Sequence, residues 1–341
     1  SLCIAMRICS TSMALMEDCK LPNLFTIMNI KHNDYKKIKA RPFLKWAGGK
    51  GQLLTEIAEY YPFEKGNINR YVEPFVGGGA VLFDILSKYK LEYVCINDIN
   101  VDLINTYRTI QRDTDKLIDI LENMQEKFLA LDTEERKKFF LEQRERYNFL
   151  KIRNTNNDNN CEKAGLLIFL NKTCFNGLYR VNKKGLFNVP VGSYKKPLIC
   201  DEENLRTIAK LLQNTEITCG DYTKIADRID DKTFVYIDPP YRPLNNTSSF
   251  TAYTANAFDD DEQIRLSKFV QLISEKGARI LESNSDPKNN NSNDDFFDKI
   301  YISYNIKRVS ATRMINSKSS GRGKISELLI SNFRGMQDEK F

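Results

Sequence analysis

Asp238-Pro239-Pro240-Tyr241 combines residue types that could hold a planar amine. The run before it, Thr233-Phe234-Val235-Tyr236-Ile237, is short, apolar and rich in β-formers, which predicts a buried parallel strand. The tetrapeptide therefore falls at a strand's C-terminal end, where open α/β sheets place their ligands. Asp238 offers a carboxylate acceptor. Two prolines hold the backbone extended and leave the Pro239 carbonyl without strand partners. Tyr241 offers a flat ring. Two acceptors and a stacking face suit an exocyclic NH2; a simple turn closing a strand is the plainer alternative.

A second constellation is Glu73-Pro74-Phe75-Val76-Gly77-Gly78-Gly79, followed by Asp98. Glycines let backbone approach a ligand, and the helix expected after them offers free N–H groups. The spacing is not that of a pyrophosphate-binding glycine fingerprint, since Ala80, Val81 and Leu82 follow. Asp98 closes the next strand about 20 residues on, where an acid binds ribose hydroxyls. A helix N-cap is its alternative role. Together these features favour a non-phosphorylated, adenosine-containing cofactor over a dinucleotide.

Residues 163–200 carry Lys163, Lys172, Arg180, Lys183, Lys184, Lys195 and Lys196 with no Asp or Glu. Phe169, Phe175, Tyr179, Phe187 and Tyr194 are interleaved, and Asn182-Lys183-Lys184-Gly185 predicts a hairpin turn. Cations for phosphates beside aromatics for bases is the composition of a nucleic-acid reader; a solvated basic hairpin is the alternative. Lys307, Arg308, Arg313, Lys318, Arg322 and Lys324 form a second acid-free stretch. Its glycine-bearing tip, Ser319 to Gly323, could clamp a backbone or be a mobile hairpin end.

The elements that must position these groups alternate. Expected are a helix from Gln52 to Tyr61, a strand at 71–75, a helix at 80–89 and a strand at 93–98, which make a βαβ unit. Two long helical patterns follow, at 101–128 and 133–151, then an Asn-rich surface loop at 154–160. Beyond Thr215 alternation resumes, with strands near 215–219, 233–237 and 278–283, helices near 222–229 and 260–276, and a final strand pair at 299–309 and 324–333. Residues 1 to about 40 read as an extension. The chain has 341 residues, a formal charge of +6, eight scattered cysteines and one histidine, His32. With no Cys-x-x-Cys pair, zinc binding and histidine acid–base catalysis are not expected, and the cysteines read as reduced. No apolar run approaches the ~20 residues of a membrane span, and the reduced cysteines lead us to expect a cytoplasmic protein.

Pro42 to Lys50, Glu73 to Gly79, Asn97-Asp98, Asn176 to Asn182, Phe187 to Pro190, Gly220-Asp221-Tyr222 and Asp238 to Tyr241, in this order, resemble the Dam-type (D12 class) DNA adenine-N6 methyltransferases. The likeness covers roughly residues 41–334. It implies an α/β, Rossmann-like fold dependent on S-adenosylmethionine, with an inserted helical and β-hairpin target-recognition domain. The implied division is 1–40 extension, 41–102 and 199–334 catalytic, 103–198 target recognition and 335–341 tail. Implied cofactor contacts are Trp46, Lys50, Glu73, Phe75, Gly77, Gly79, Asp98 on the ribose, Asp221 near the adenine, Tyr222 and Asp238. Implied catalytic residues are Asp238, Pro239, Pro240 and Tyr241. Lys45, Leu178, Arg180 and Tyr194 match positions that contact bases of GATC, Asn176 and Asn182 belong to the same DNA-binding set, and Phe175 matches a wedge entering the duplex. The implied partner is double-stranded DNA, with no metal and no membrane. Methylation of RNA or of a protein amide, and a silent DNA-binding module, are the competing readings. The motifs at 176–190 argue against the first two, and intact Asp98 and Asp238 against the third. Housekeeping marking, restriction protection and phage use all fit.

Overall fold

The computed structural model describes residues 39–46, 48–64, 66–153, 160–242, 258–312 and 324–335. Residues 1–38 of the expected extension, with His32, and the Ser319–Gly323 tip lie outside the described residues. Seven strands form one sheet: β1 (Arg70–Glu73), β2 (Tyr93–Asp98), β3 (Thr215–Cys219), β4 (Thr233–Ile237), β5 (Arg279–Ser285), β6 (Asn305–Thr312) and β7 (Lys324–Ser331). Their order is β3-β2-β1-β4-β5-β7-β6, with β7 antiparallel to its neighbours β5 and β6. The connection order reverses between β1 and β4, so their C-terminal ends flank a switch point.

Strand side chains alternate between two apolar layers, as a sheet covered on both faces requires. Tyr71, Ile96, Phe234, Tyr236 and Leu281 enter one core. Val72, Cys95, Val235, Ile237 and Ile280 enter the other. The second layer holds α8 (Asp260–Glu275), α9 (Phe296–Ile300) and the 3-10 segment Tyr222–Arg228. The first holds α1 (Leu54–Ala58), α2 (Ala80–Leu86), α3 (Val101–Arg112), α4 (Thr114–Ala130), α5 (Thr133–Arg153), α6 (Cys161–Thr173) and α7 (Glu202–Leu212). Helix α3 packs on β2 and β3 and also on α4 and α6, so it joins the sheet to the inserted helices.

Several expectations change. The helix from Gln52 to Tyr61 is a 3-10 turn, Lys50–Gln52, followed by the single short α1. The pattern at 101–128 is two helices, because Asp113 leaves helical geometry (φ −129°, ψ 38°) and redirects the chain into α4. The strand expected from 299 begins at Asn305, since Phe297 and Tyr301 turn inward from α9 and the turn after it to fill the second core. The Asn-rich spacer ends in a cap: Asn160 accepts the Lys163 amide at 2.9 Å and opens α6.

Candidate active site

Glu73, Asp98 and Asp238 end or follow three adjacent strands and open into one cleft of about 1470 Å³. Its walls include Trp46, Lys50, Glu73, Phe75, Gly77, Gly79, Asp98, Asp221, Tyr222, Asp238, Pro239, Pro240 and Tyr241. Every residue singled out for cofactor or catalysis is therefore brought to one place.

The glycine turn wraps the indole of Trp46. A Cβ at Gly77 would stand 3.1 Å from Trp46 Cδ1, and one at Gly78 would stand 3.1 Å from Trp46 Cβ. Gly79 has φ 75°, and a Cβ there would meet the Tyr107 hydroxyl at 2.5 Å. Asp98 braces the turn, accepting the Gly77 amide on Oδ2 at 3.1 Å and the Asn100 amide on Oδ1 at 2.9 Å. The N-cap of α3 is Asn100, which accepts from Asp102 and Leu103, so Asp98 is not the cap. Asn97, a motif residue with no role assigned from sequence, ties three strand ends by donating to the carbonyls of Pro74 (3.1 Å) and Gly220 (2.9 Å). Burial raises the Asp98 carboxyl above its ordinary range. Glu73, 2% exposed, is raised well above it, chiefly by burial, although it accepts the Tyr71 hydroxyl at 2.7 Å.

Asp238 is held through one oxygen. Lys50 Nζ stands 2.7 Å from Oδ1, and the Ser283 hydroxyl donates to Oδ1 at 3.1 Å. Burial raises this carboxyl too, opposed by the Lys50 ammonium. Lys50 is 4% exposed and also lies 4.8 Å from the centroid of the Tyr241 ring. The Tyr241 hydroxyl donates to Glu327 Oε2 at 2.7 Å, which fixes the ring against β7. On the opposite wall Phe75 and Tyr222 pair at 5.1 Å between centroids. Asp221 there caps the 3-10 segment through Thr223 and takes both oxygens 2.8 Å from Arg265; against partial burial, the Thr223 hydrogen bonds and then Arg265 hold its carboxyl below the ordinary range.

A separate surface forms where the inserted residues meet the N-terminal loop. Buried Asn171 accepts the Lys45 amide at 2.8 Å and donates to the carbonyls of Lys45 (2.9 Å) and Gly177 (2.8 Å). That clamp sets the loop beside the turn Phe175–Gly177, in which Asn176 has φ 55°. Lys45 Nζ reaches the Tyr194 hydroxyl at 3.2 Å. Phe175 is 52% exposed, Leu178 half-buried, and Arg180 exposed. Arg180 leans on Asn188, donating to Oδ1 at 2.8 Å and the carbonyl at 3.2 Å. Asn182 shapes the hairpin tip by accepting the amides of Lys184 and Leu186.

The composition of 163–200 promised more free groups than the fold leaves. Phe169 and Phe187 are core residues and Tyr179 is buried, stacked on Trp46 at 5.3 Å. Lys163 is spent on buried Asp102, which Lys151 and the Tyr147 hydroxyl also neutralise. Arg308 is likewise taken up by Asp286 and Asp298.

Residues 46–315 match the family model of D12 class N6 adenine-specific DNA methyltransferases. The chain belongs to this family. It is 50% identical over 299 residues to a type II methyltransferase, M.MjaIII, of Methanocaldococcus jannaschii, covering 87% of this chain and 100% of that protein. It is 38% identical to the type II methyltransferase M1.LlaDCHI of Lactococcus lactis subsp. cremoris (87% and 97% covered). It is 35% identical to the DNA adenine methylase of Escherichia coli K12 (85% and 95% covered).

D12 class methyltransferases depend on S-adenosylmethionine. The walls of this family member suit that molecule: carboxylates able to face a cationic ligand and to accept from hydroxyls, and the paired flat faces of Phe75 and Tyr222. Among the described residues no cluster of three or more His, Cys, Asp or Glu is arranged to hold a metal, and no helix is long and apolar enough to cross a membrane. Among the described residues no disulfide joins Cys95, Cys161, Cys174, Cys200 or Cys219.

Proposed function

We propose that this DNA adenine methyltransferase moves a methyl group from S-adenosylmethionine to N6 of an adenine in GATC, taken out of the duplex into the cleft. The observation that carries the reading is Asp238 to Tyr241 at the end of β4, in one cleft with Asp98 and the glycine turn. The cofactor supplies an electrophilic methyl group; the chain's residues prepare the amine. Lys50 and Ser283 both bind Oδ1 of Asp238, which leaves Oδ2 to accept one N6–H bond. The Pro239 carbonyl accepts the other. The bond to the charged carboxylate is worth about 1.5–3 kcal/mol and the one to the neutral carbonyl about 0.5–1.5 kcal/mol, and both draw the nitrogen away from conjugation with the ring. Tyr241, steadied by Glu327, supplies the stacking face. Phe75, Tyr222 and Asp98 hold the nucleoside, with Trp46, Glu73, Gly77, Gly79 and Asp221 closing the pocket. Removing the base from the stack costs a few kcal/mol, which stacking and phosphate contacts offset.

In this reading residues 103–198 are the target-recognition domain and 41–102 with 199–334 the catalytic one. Lys45, Leu178, Arg180 and Tyr194 read bases; Phe175 wedges the duplex; Asn176 and Asn182 hold the turn and tip that approach DNA. The half-exposed Phe175 and exposed Arg180 on one surface support this. The test is transfer of labelled methyl from the cofactor to a plasmid, with the modified adenines mapped by sequencing. Label on adenines of GATC is expected, and none with Asp238→Ala, whose DNA binding by gel shift persists. Label confined to another sequence removes the GATC assignment, and near-normal turnover of Asp238→Ala removes the chemistry.

A further inference from the structure

The Asp238–Tyr241 turn is poor in means to brace itself, because Pro239 and Pro240 have no N–H to donate. Its fixed geometry must come from side chains elsewhere. Besides Lys50, which holds Asp238 and lies against Tyr241, two of these are Ser283 on Asp238 and Glu327 on Tyr241. The third is Gln263 of α8, whose Nε2 donates to the Pro240 carbonyl at 3.2 Å.

Gln263 is completely buried, and its orientation is dictated from behind. The Ser285 amide donates to Asn284 Oδ1 at 2.9 Å, so Asn284 must present Nδ2 inward. Its two protons go to Gln263 Oε1 and Glu282 Oε1, each at 3.2 Å. Glu282 Oε2 is filled by the Tyr301 hydroxyl at 2.6 Å. With Oε1 of Gln263 satisfied, only Nε2 remains to face Pro240. Glu282, Asn284 and Gln263 are each 0% exposed. Replacing buried polar partners together by apolar groups of the same shape is often close to neutral in stability, so stability alone does not account for this polar chain.

We infer that Gln263 is a positioning residue for methyl transfer: the polar chain Glu282–Asn284–Gln263 fixes the Pro240 carbonyl, and through the rigid prolines the angle between the Asp238 carboxylate and the Tyr241 ring. The inference rests on the catalytic role proposed for that turn. Gln263→Met removes the donor and keeps the volume. Gln263→Glu keeps the shape but sets an oxygen against the Pro240 carbonyl, except when protonated. An acid in this buried place beside Glu282 has a raised pKa, and its protonated form restores a donor.

Single-turnover rates on duplex DNA should be measured from pH 5.5 to 9, with affinities for DNA and S-adenosylhomocysteine. Gln263→Met should lower the transfer rate ~10-fold or more, at least ~1.4 kcal/mol on the barrier, with both affinities within about twofold of wild type. Gln263→Glu should recover rate relative to wild type as pH falls. A folded Gln263→Met protein at wild-type rate, or a Gln263→Glu profile parallel to wild type, overturns the inference; if the first variant does not fold, the second decides. Failure of wild type to transfer methyl would instead overturn the proposed reaction.

Discussion

Lys50 stands 2.7 Å from Asp238 Oδ1 and 4.8 Å from the centre of the Tyr241 ring, so the ammonium touches both groups assigned to the target amine. Burial pushes the Asp238 carboxyl up and Lys50 pulls it back. Only the ionised carboxylate is a full acceptor, so the rate should fall as pH drops through this raised pKa. Lys50→Met removes the opposing charge and raises the pKa further, so the acid limb of the single-turnover profile should move to higher pH. Measured at saturating cofactor and DNA, an unmoved limb would mean that Lys50 does not set the ionisation of Asp238. Asp98 has a distinct duty. Its two oxygens already hold the amides of Gly77 and Asn100, and each retains a lone pair for a ribose hydroxyl. Asp98→Ala should weaken S-adenosylhomocysteine binding by ~1–3 kcal/mol, the cost of unmet charged hydrogen bonds. Calorimetric titration reads this directly; unchanged affinity would confine Asp98 to bracing the turn.

Among the elements, β5 departs furthest from an ordinary central strand. Glu282, Ser283 and Asn284 are all 0% exposed, and burial raises Glu282 to about 7. An unfolded glutamate titrates near ~4.3. The folded state therefore keeps a proton that the unfolded state has released, and stability should decline as pH rises from about 4 to about 7. Glu282→Gln lacks this decline, so its melting temperature should gain on wild type as pH rises through that window; parallel curves would contradict the assignment. Such a strand is hard to read in sequence. The expected strand at 278–283 stops two residues short, at polar Asn284-Ser285, and only partners such as Tyr301 and Gln263, distant in the chain, make the burial of Glu282 and Asn284 tolerable. By contrast β4 was legible, since five apolar or β-branched residues buried on both faces carry their own signal. The break at Asp113 and the helix α6 were hidden for a related reason: an amphipathic period continues across the first, and lysines at the second drew attention to charge over its apolar run.

At the scale of the whole molecule, sequence revealed the order of the motifs and hence the shared cleft, because the motifs at Glu73, Asp98, Asp221 and Asp238 end or follow four parallel strands of one sheet. It did not reveal which cations of the insertion are free. A net charge of +6 says only that a polyanion is tolerated. Folding then divides the charges: Lys163 and Lys151 neutralise buried Asp102, whereas Arg180, Lys183 and Lys184 stay exposed on the hairpin. These three should affect DNA in different ways. Arg180 is held by Asn188 at 2.8 and 3.2 Å, which limits the orientations of its planar fork before DNA arrives. An oriented guanidinium is the usual bidentate partner of guanine O6 and N7. Lys183 and Lys184 flank the tip without such a brace and suit phosphates, whose contacts set affinity and salt dependence but carry no sequence. Arg180→Ala should therefore lose ~1–3 kcal/mol of discrimination at one base pair. Lys183→Ala or Lys184→Ala should weaken binding to every sequence and flatten its dependence on salt, with methylation sites unchanged. Mapping modified adenines on plasmids treated with each variant, alongside binding at several salt concentrations, separates the two effects. If Arg180→Ala keeps the wild-type site preference while its salt slope falls, Arg180 is a phosphate contact and the base reader lies elsewhere on the Lys45–Tyr194 surface.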